Sequence, residues 1–242
     1  MPPLRRRDLL AGTALVLLEA GVARGDILQG ELPWEPAPEH PSYPPTTGGW
    51  RFFTAPQAAM VEAIAERLIP PDPATPGGGE SGCAVYIDRQ LAGPYGSNTG
   101  LYDRPPFVKG TPSQGEQSAI TPAQLYRAGL AALASWCQQQ RGHAWVQLSA
   151  AQQDEVLRGL EAGQIQLQGV NGETLFQAVL KDVKEGFFAD PIYGGNRDMC
   201  AWKMIGFPGA RYNYRDWVGR HNQRYPYPPV SIAGSPDWSG AA

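Results

Sequence analysis

The chain has 242 residues, a formal net charge of −3 and 18% charged residues. A charge this close to zero gives no sign of nucleic-acid binding, and the length suits one sizeable domain with extensions. Glycine and proline, with 29 and 24 residues, make up about a fifth of the chain, which predicts long irregular segments between the regular elements.

Residues 1–23 have the features of an export signal. Arg6 and Arg7 precede an apolar run over 9–18, and small residues at 21–23 offer a cleavage site. The run is too short to span a bilayer, which takes roughly 20 helical residues. We therefore expect a removable twin-arginine signal, which directs folded proteins to export; the alternative is a basic N-terminus that carries no address.

The rest of the chain predicts an extended arm followed by helices. Residues 24–51 are rich in proline, which forbids a helix and favours an extended, partly polyproline arm. Capping boxes and apolar residues at helical spacing then predict five helices, and two shorter ones are plausible further on. The five lie at 54–68, about 83–91, from 121 past 137, from 149 through 160, and 172–188; the shorter two lie at 197–204 and 213–220.

The third helix carries the longest apolar stripe, and we expect that face to be buried. No segment shows a sustained period-two pattern, so the predicted fold is mainly α: a compact helical bundle over 52–230 with long irregular loops. Residues 231–242 are expected to be a C-terminal tail. The stripe consists of Leu125, Ala128, Gly129, Ala132, Leu133, Trp136 and Cys137.

The residues that could carry chemistry do not form a catalytic or metal-binding pattern. Glycines at 77, 79 and 82 match G-x-G-x-x-G by letter, but PPDPATP precedes them instead of a strand, so a flexible glycine loop is expected. The scattered histidines lack metal-ligand spacing. Four loop carboxylates are expected to be solvated or capping: Asp72, Glu80, Asp88 and Asp103.

Two segments suggest a binding surface instead. Residues 94–120 form a long loop without a regular pattern, yet with large aromatic side chains. Residues 187–217 combine aromatic residues with glycines, and Cys200 lies in their middle. Such a composition is typical of an interface core, and equally of side chains that complete a bundle core.

Several motifs in order resemble one known family. They are LIPPD at 68–72, YIDRQLAGPYG at 86–96, PFVKGTPSQGEQ at 106–117 with TPAQLYRAGL at 121–130, and DPIYGGNRDMCAWKMIGFPGA at 190–210. With these motifs the chain resembles the gluconate 2-dehydrogenase subunit 3 family over roughly residues 52–230.

The resemblance implies a non-catalytic small subunit of a membrane-bound, flavin-dependent sugar, polyol or aldonate dehydrogenase. In such complexes FAD belongs to a large subunit and haem c to a multihaem cytochrome c subunit, so no cofactor is expected in this chain. The small subunit would stabilise the large one and carry it through the twin-arginine translocase. The expected location is periplasmic, at the membrane through the complex.

The two segments supply the predicted partner interface. Its residues are Tyr95, Phe107, Tyr193, Gly194, Asn196, Trp202 and Phe207. For Cys200 two states are open, a disulfide to the large subunit formed after export or a buried, inert thiol. Two other functions are open as well: an autonomous periplasmic enzyme, and a self-sufficient carbohydrate-binding module.

Overall fold

The computed structural model describes residues 49–99, 105–108, 110–111, 118–211 and 214–232. The predicted signal with Arg6 and Arg7, the predicted arm up to residue 48, and the predicted tail after residue 232 lie outside the described residues.

Helices dominate the described residues, as predicted for a mainly α fold. Two isolated bridges join described residues, Leu167 with Val170 and Gly209 with Val230. The α-helices are α1 Ala55–Leu68, α2 Cys83–Leu91, α3 Pro122–Arg141, α4 Ala150–Glu161, α5 Gly172–Phe188 and α6 Cys200–Ile205.

The predicted capping boxes set the starts of three helices. Reciprocal boxes begin α3 at Thr121 and α4 at Ser149. At α1 the side chain of Gln57 accepts from both the backbone N–H and the hydroxyl of Thr54, each at 3.0 Å. Each box satisfies N–H groups that the first helical turn leaves without a helical partner.

Helix α5 is the centre of the bundle. It contacts each of the other five α-helices. Its buried residues recur at helical spacing and enter one hydrophobic core with residues of α1 to α4. The predicted core residues of α5 are confirmed at Leu175, Val179, Val183 and Phe187.

The predicted buried face of α3 is partly wrong. Gly129, Leu133 and Cys137 are buried as expected, but Ala128 is exposed and the fully buried Tyr126 was not predicted. Tyr126 turns inward because its hydroxyl donates to a buried carboxylate of α5. The polar partner thus rotates the buried face away from the purely apolar stripe.

The glycine loop is packed, and the expectation of a flexible loop is wrong. Gly77 and Gly78 are buried, and a Cβ at Gly78 would meet the backbone oxygen of Ala65 in α1. The N–H of Gly79 donates to Glu66 at 2.9 Å. These glycines allow the loop to lie directly on α1, which is a structural role.

Asp88 is buried, which corrects the expectation of a solvated carboxylate. Its oxygens accept the backbone N–H groups of Arg51, Phe52 and Phe53, each at 2.9 Å, and it pairs with the guanidinium of Arg89 at 2.6 Å. Asp88 therefore accepts the N–H groups of a loop that is distant in sequence, as a capping residue accepts those of the first turn of a helix. It fixes the point where the chain enters the bundle.

The two short helices predicted near the C-terminus are less regular than expected. A 3₁₀ turn at Arg197–Met199 precedes α6, and the left-handed backbone of Asp198 and Met199, with φ of 56° and 55°, interrupts the helix. Further on, only the 3₁₀ turn Arg215–Trp217 forms among the described residues of 213–220.

Candidate functional site

The segment after α5 is fastened to the bundle through Asn196. This residue is fully buried and left-handed, with φ of 46°. Its amide donates to the carbonyl of Ala189 and accepts from the N–H of Ala201, both at 2.9 Å. A single side chain thus joins the end of α5 to the start of α6. The turn between them has a fixed shape.

Glycines let this turn cross the bundle at backbone distance. A Cβ on Gly195 would collide with the carbonyl oxygen of Gly186 in α5, and one on Gly194 would lie 2.8 Å from Val85 Cγ1 of α2. The N–H of Arg197 donates to the carbonyl of Ser81 at 3.0 Å. The close approach places the segment firmly against both helices.

Large apolar side chains nevertheless face solvent along this fastened segment. Six of them are between 42% and 57% exposed, and we call this set the apolar surface. Trp202 joins two of its members, since its indole N–H donates to the carbonyl of Phe188 at 2.8 Å and its ring packs 5.1 Å from that of Phe207. The apolar surface consists of Phe188, Ile192, Tyr193, Met204, Ile205 and Phe207.

Six of the seven predicted interface residues fall into two groups. Tyr193, Phe207 and Phe107 are exposed, the last at 37%. Gly194, Asn196 and Trp202 are buried in the chain and shape the segment from within. The interface role of all of them stays a prediction.

Sequence reasoning missed four members of the apolar surface. Phe188 ends α5, Ile192 lies in the 3₁₀ turn Pro191–Tyr193, and Met204 and Ile205 end α6. The sequence did contain a signal for Met204 and Ile205, because these two residues follow the buried Ala201 and Trp202 on a short helix that is capped by Gly206. A helix of six residues buries only one side, and the exposed side of this one carries Met204 and Ile205 beside Lys203.

Tyr95, also predicted for the interface, is half-buried and anchors the 94–99 loop. Its hydroxyl donates to Asp182 Oδ1 at 2.9 Å, while Tyr126 donates to Oδ2 at 2.8 Å. Lys181 Nζ lies 3.9 Å from Asp182 and 5.1 Å from the centre of the Tyr95 ring. The cluster ties this loop and α3 to the central helix.

Burial raises the pKa of the Asp182 carboxyl to about 6, although the hydroxyls of Tyr126 and Tyr95 oppose the shift. Burial and the adjacent carboxylate raise the pKa of both tyrosines. A carboxyl with this pKa is suited to proton exchange near neutral pH. Here both oxygens are engaged and the residue is 2% exposed, so the geometry supports anchoring of the loop.

The three cysteines are free thiols, and they differ in exposure. Burial raises the pKa of Cys83 to about 12 and that of Cys137 to about 11, as expected for inert core thiols. Cys200 is half-buried at the start of α6, with Sγ 3.6 Å from the Ser81 hydroxyl and 3.7 Å from Asn196 Oδ1. Of the three, Cys200 is the thiol closest to the apolar surface in sequence and the most accessible.

The described residues hold no candidate for a metal site or a membrane-spanning helix. No group of three or more histidine, cysteine, aspartate or glutamate residues there is placed to hold a metal ion. Within the same residues, no helix has the length and apolar character needed to cross a membrane.

Comparison with known proteins gives one match. Residues 55–209, more than half of the chain, match the family described as gluconate 2-dehydrogenase subunit 3. No curated protein and no solved structure matches the chain. The matched range contains all six α-helices of the described residues and the whole apolar surface.

Proposed function

The chain belongs to the gluconate 2-dehydrogenase subunit 3 family and is therefore a component of a dehydrogenase complex. From this premise we propose that it binds an FAD-containing large subunit through its apolar surface. We propose further that it carries this subunit through twin-arginine export. In this proposal the chain performs no catalysis itself. The complex is periplasmic and reaches the membrane through a multihaem cytochrome c subunit.

The apolar surface is the observation that carries the proposal. Six large apolar side chains exposed within twenty residues are costly in water, at roughly 25 cal/mol for each Å² of apolar area. Exposed apolar groups of this kind mark binding sites on soluble proteins. The buried Asn196 and the glycines hold these groups in place before any partner binds, which lowers the entropy cost of association.

The demands of export agree with such a surface. A subunit that crosses a membrane only while attached to its partner needs an interface that survives transit, of about 2,000 Å² or more in total. Four of the six side chains of the apolar surface are aromatic residues or methionine, which are enriched in interface cores. The leader with Arg6 and Arg7 then supplies the address for the assembled pair.

The test is co-expression with the large-subunit gene of the same complex. Three forms of this chain are compared: the wild type, Arg6→Lys/Arg7→Lys, and Arg5→Lys as the matched control. Flavin and dye-linked dehydrogenase activity are then measured in the periplasm and in the cytoplasm.

We expect the double variant to retain the large subunit in the cytoplasm and the control to export it normally. Export of the large subunit without this chain's leader contradicts the carrier function and leaves a stabilising subunit. Turnover by the isolated chain contradicts the non-catalytic assignment.

A further inference from the structure

A cleft of about 530 Å³ lies beside the apolar surface, between the end of α6 and residues 224–229. Among the described residues, its lining contains four aromatic side chains and four prolines. Phe207 at the end of α6 is 43% exposed and Tyr227 in the facing segment is 53% exposed, so both rings are accessible to a ligand. The aromatic residues of the lining are Trp202, Phe207, Tyr225 and Tyr227.

The cleft is held in shape by interactions within the chain. The guanidinium of Arg211 lies 5.2 Å from the centre of the Tyr225 ring and donates to the carbonyl of Pro228 at 2.6 Å. The N–H of Ala210 donates to the carbonyl of Val230 at 2.6 Å. The facing segment is therefore fixed to the chain that follows α6. A cleft that has its shape before a ligand binds loses little entropy on binding.

The composition of the wall favours one kind of ligand. Three of the six residues at 224–229 are prolines, which have no N–H to donate, so the wall cannot pair with an added β-strand along its length. Grooves lined by aromatic rings bind proline-rich peptides in the polyproline conformation, which is preformed and loses little entropy. The cleft therefore fits a proline-rich segment that lies in this conformation.

The chain itself contains such a segment directly before its first described residue. Residues 36–48 read PAPEHPSYPPTTG. A polyproline helix has three residues per turn, so prolines at every third position share one face. Pro38, Pro41 and Pro44 have this spacing, whereas Pro36 and Pro45 share a different face. The regular spacing predicts a row of proline rings along one side of the segment.

The segment is long enough to reach the cleft. Its thirteen residues span about 40 Å in the polyproline conformation, at about 3.1 Å per residue. They end next to Gly49, whose carbonyl accepts from Arg89 of α2 at 3.3 Å. The other end of α2 follows Ser81, whose hydroxyl lies 3.6 Å from Cys200 Sγ at the start of α6, and α6 leads to the cleft. Together α2 and α6 are only about 22 Å long at 1.5 Å per residue.

We propose that residues 38–44 bind in this cleft of the same chain as a polyproline helix. Pro38, Pro41 and Pro44 pack against the exposed rings of Phe207 and Tyr227. The bound segment borders the apolar surface, because Phe207 belongs to both, and it extends the area that faces a partner. The contact lies within one chain, so it exists whether or not the large subunit binds to the apolar surface.

The test uses the full chain with the photo-cross-linking residue p-benzoylphenylalanine in place of Tyr227. This substitution keeps an aromatic ring at an exposed position. After irradiation and digestion with trypsin, mass spectrometry searches for a cross-link between peptides 25–51 and 225–242, and fragmentation locates it along the first peptide. The same probe at Val146, which is also 53% exposed but lies on the bundle, is the control.

Two double substitutions test the role of the proline row. Pro38→Ala/Pro41→Ala should reduce the yield of the cross-link about fivefold or more, because it removes rings that pack against the cleft. Pro36→Ala/Pro45→Ala removes the same number of prolines from the other face and should stay within about twofold of the wild type. Thermal unfolding of each variant checks that the chain still folds.

We expect the probe at position 227 to cross-link to residues 36–45 and the probe at position 146 not to do so. Equal losses from the two double substitutions overturn the inference, and so does the absence of the cross-link when the probe at 227 reacts elsewhere in the chain. A mixture of unlabelled and ¹⁵N-labelled chains shows whether the linked peptides come from one copy. Cross-links that join two copies overturn the inference in favour of a second copy as the occupant. Because the large subunit is absent from the experiment, each of these outcomes leaves the proposed function standing.

Discussion

The helical bundle up to residue 187 and the chain that follows it differ in where they place large apolar side chains. Thirteen such side chains are exposed among the described residues, and nine of them follow residue 187, in about a quarter of those residues. In the bundle, three of the four exceptions lie at 107–120, outside the helices. The bundle completes its own core, whereas the following chain presents apolar groups outward.

The second region is well fastened to the bundle, so a loose attachment does not explain the difference. Both regions use buried polar side chains to hold loops in place, Asp88 and Asp182 in the bundle, Asn196 and Asp190 after it. Asp88, Asp182 and Asp190 each accept two or more hydrogen bonds from residues more than 30 positions away, and Asn196 joins the two ends of its own turn. The outward apolar groups therefore lie on a framework as well specified as the core. Substitutions should therefore separate folding from binding.

The largest expected effect is on folding, from Asp88→Ala. The change leaves three backbone N–H groups, those of residues 51–53, without their acceptor. We expect the free energy of unfolding to fall by about 3 kcal/mol or more, since a fully buried donor such as the N–H of Phe53 costs about 1–3 kcal/mol when unsatisfied, two partly buried donors lose their acceptor as well, and Arg89 loses the buried carboxylate. Chemical denaturation measures the loss. Asp88→Asn, which keeps one acceptor oxygen, should lose less; equal stability of all three forms would refute the anchoring role.

The next effect is a pH dependence of stability due to Asp182. Its pKa is about 6 in the folded chain against 3.8 for an unperturbed aspartate, so its protonation favours folding. The stabilisation is fully present below about pH 4 and is lost as the pH rises through about 6. It amounts to up to about 3 kcal/mol, because one pKa unit corresponds to about 1.4 kcal/mol.

Denaturation of wild type and Asp182→Asn between pH 4 and 7 measures this dependence. Lys181, whose Nζ lies 3.9 Å from the Asp182 carboxylate, lowers the pKa of Asp182, whereas Glu185 raises it. Asp72 and Asp154, whose pKa values are lowered by hydrogen bonds, contribute slopes of the opposite sign. The informative quantity is therefore the difference between the two proteins, which should change by up to about 3 kcal/mol across the range. A constant difference would refute the role of Asp182.

A smaller change in free energy, confined to binding, is expected from substitutions in the apolar surface. Met204→Gln/Ile205→Gln should weaken the complex with the large subunit about tenfold, or about 1.4 kcal/mol, because apolar area at the end of α6 is no longer removed from water. The unfolding free energy should change by no more than about 0.5 kcal/mol, as is usual for exposed positions. Affinity and denaturation are measured on the same preparations.

Val146→Gln is the matched control for that experiment. Val146 is 53% exposed, against 57% for Ile205, and lies on the bundle. The same weakening of the complex by both variants would mean that losing any exposed apolar side chain has this effect, and would contradict a specific role of the apolar surface in binding.

Sequence patterns predicted the bundle well because they are local. A capping box involves four neighbouring residues, and the starts at Thr121 and Ser149 follow from it. The inward turn of Tyr126 depends on Asp182, 56 residues away, and the burial of Asp88 depends on residues 51–53. No short pattern contains such pairs.

The same reason explains why the candidate site was only partly predicted. The composition of 187–217 indicated a surface, but which side chains point outward depends on the left-handed residues at 196, 198 and 199. Asparagine tolerates that conformation, whereas methionine seldom adopts it, so Met199 gives no signal of the turn. The missed residues Met204 and Ile205 lie just after it.

The last effect, smaller than the weakening of the complex expected at the apolar surface, is expected at Cys200, which belongs to the second region and contacts Ser81 of the bundle. Cys200→Ser should change the unfolding free energy by less than about 1 kcal/mol, because the half-buried thiol makes only weak contacts to Ser81 and Asn196.

Its effect on the complex depends on whether the thiol is covalently bound. If it forms a disulfide with a cysteine of the large subunit, mass spectrometry of the non-reduced complex shows a cross-chain peptide containing residue 200, and the variant dissociates more readily under denaturant. An inert thiol gives no such peptide, and reduction then leaves the complex unchanged. Cys83→Ser is the control, since a buried thiol with a pKa raised to about 12 is not available to a partner.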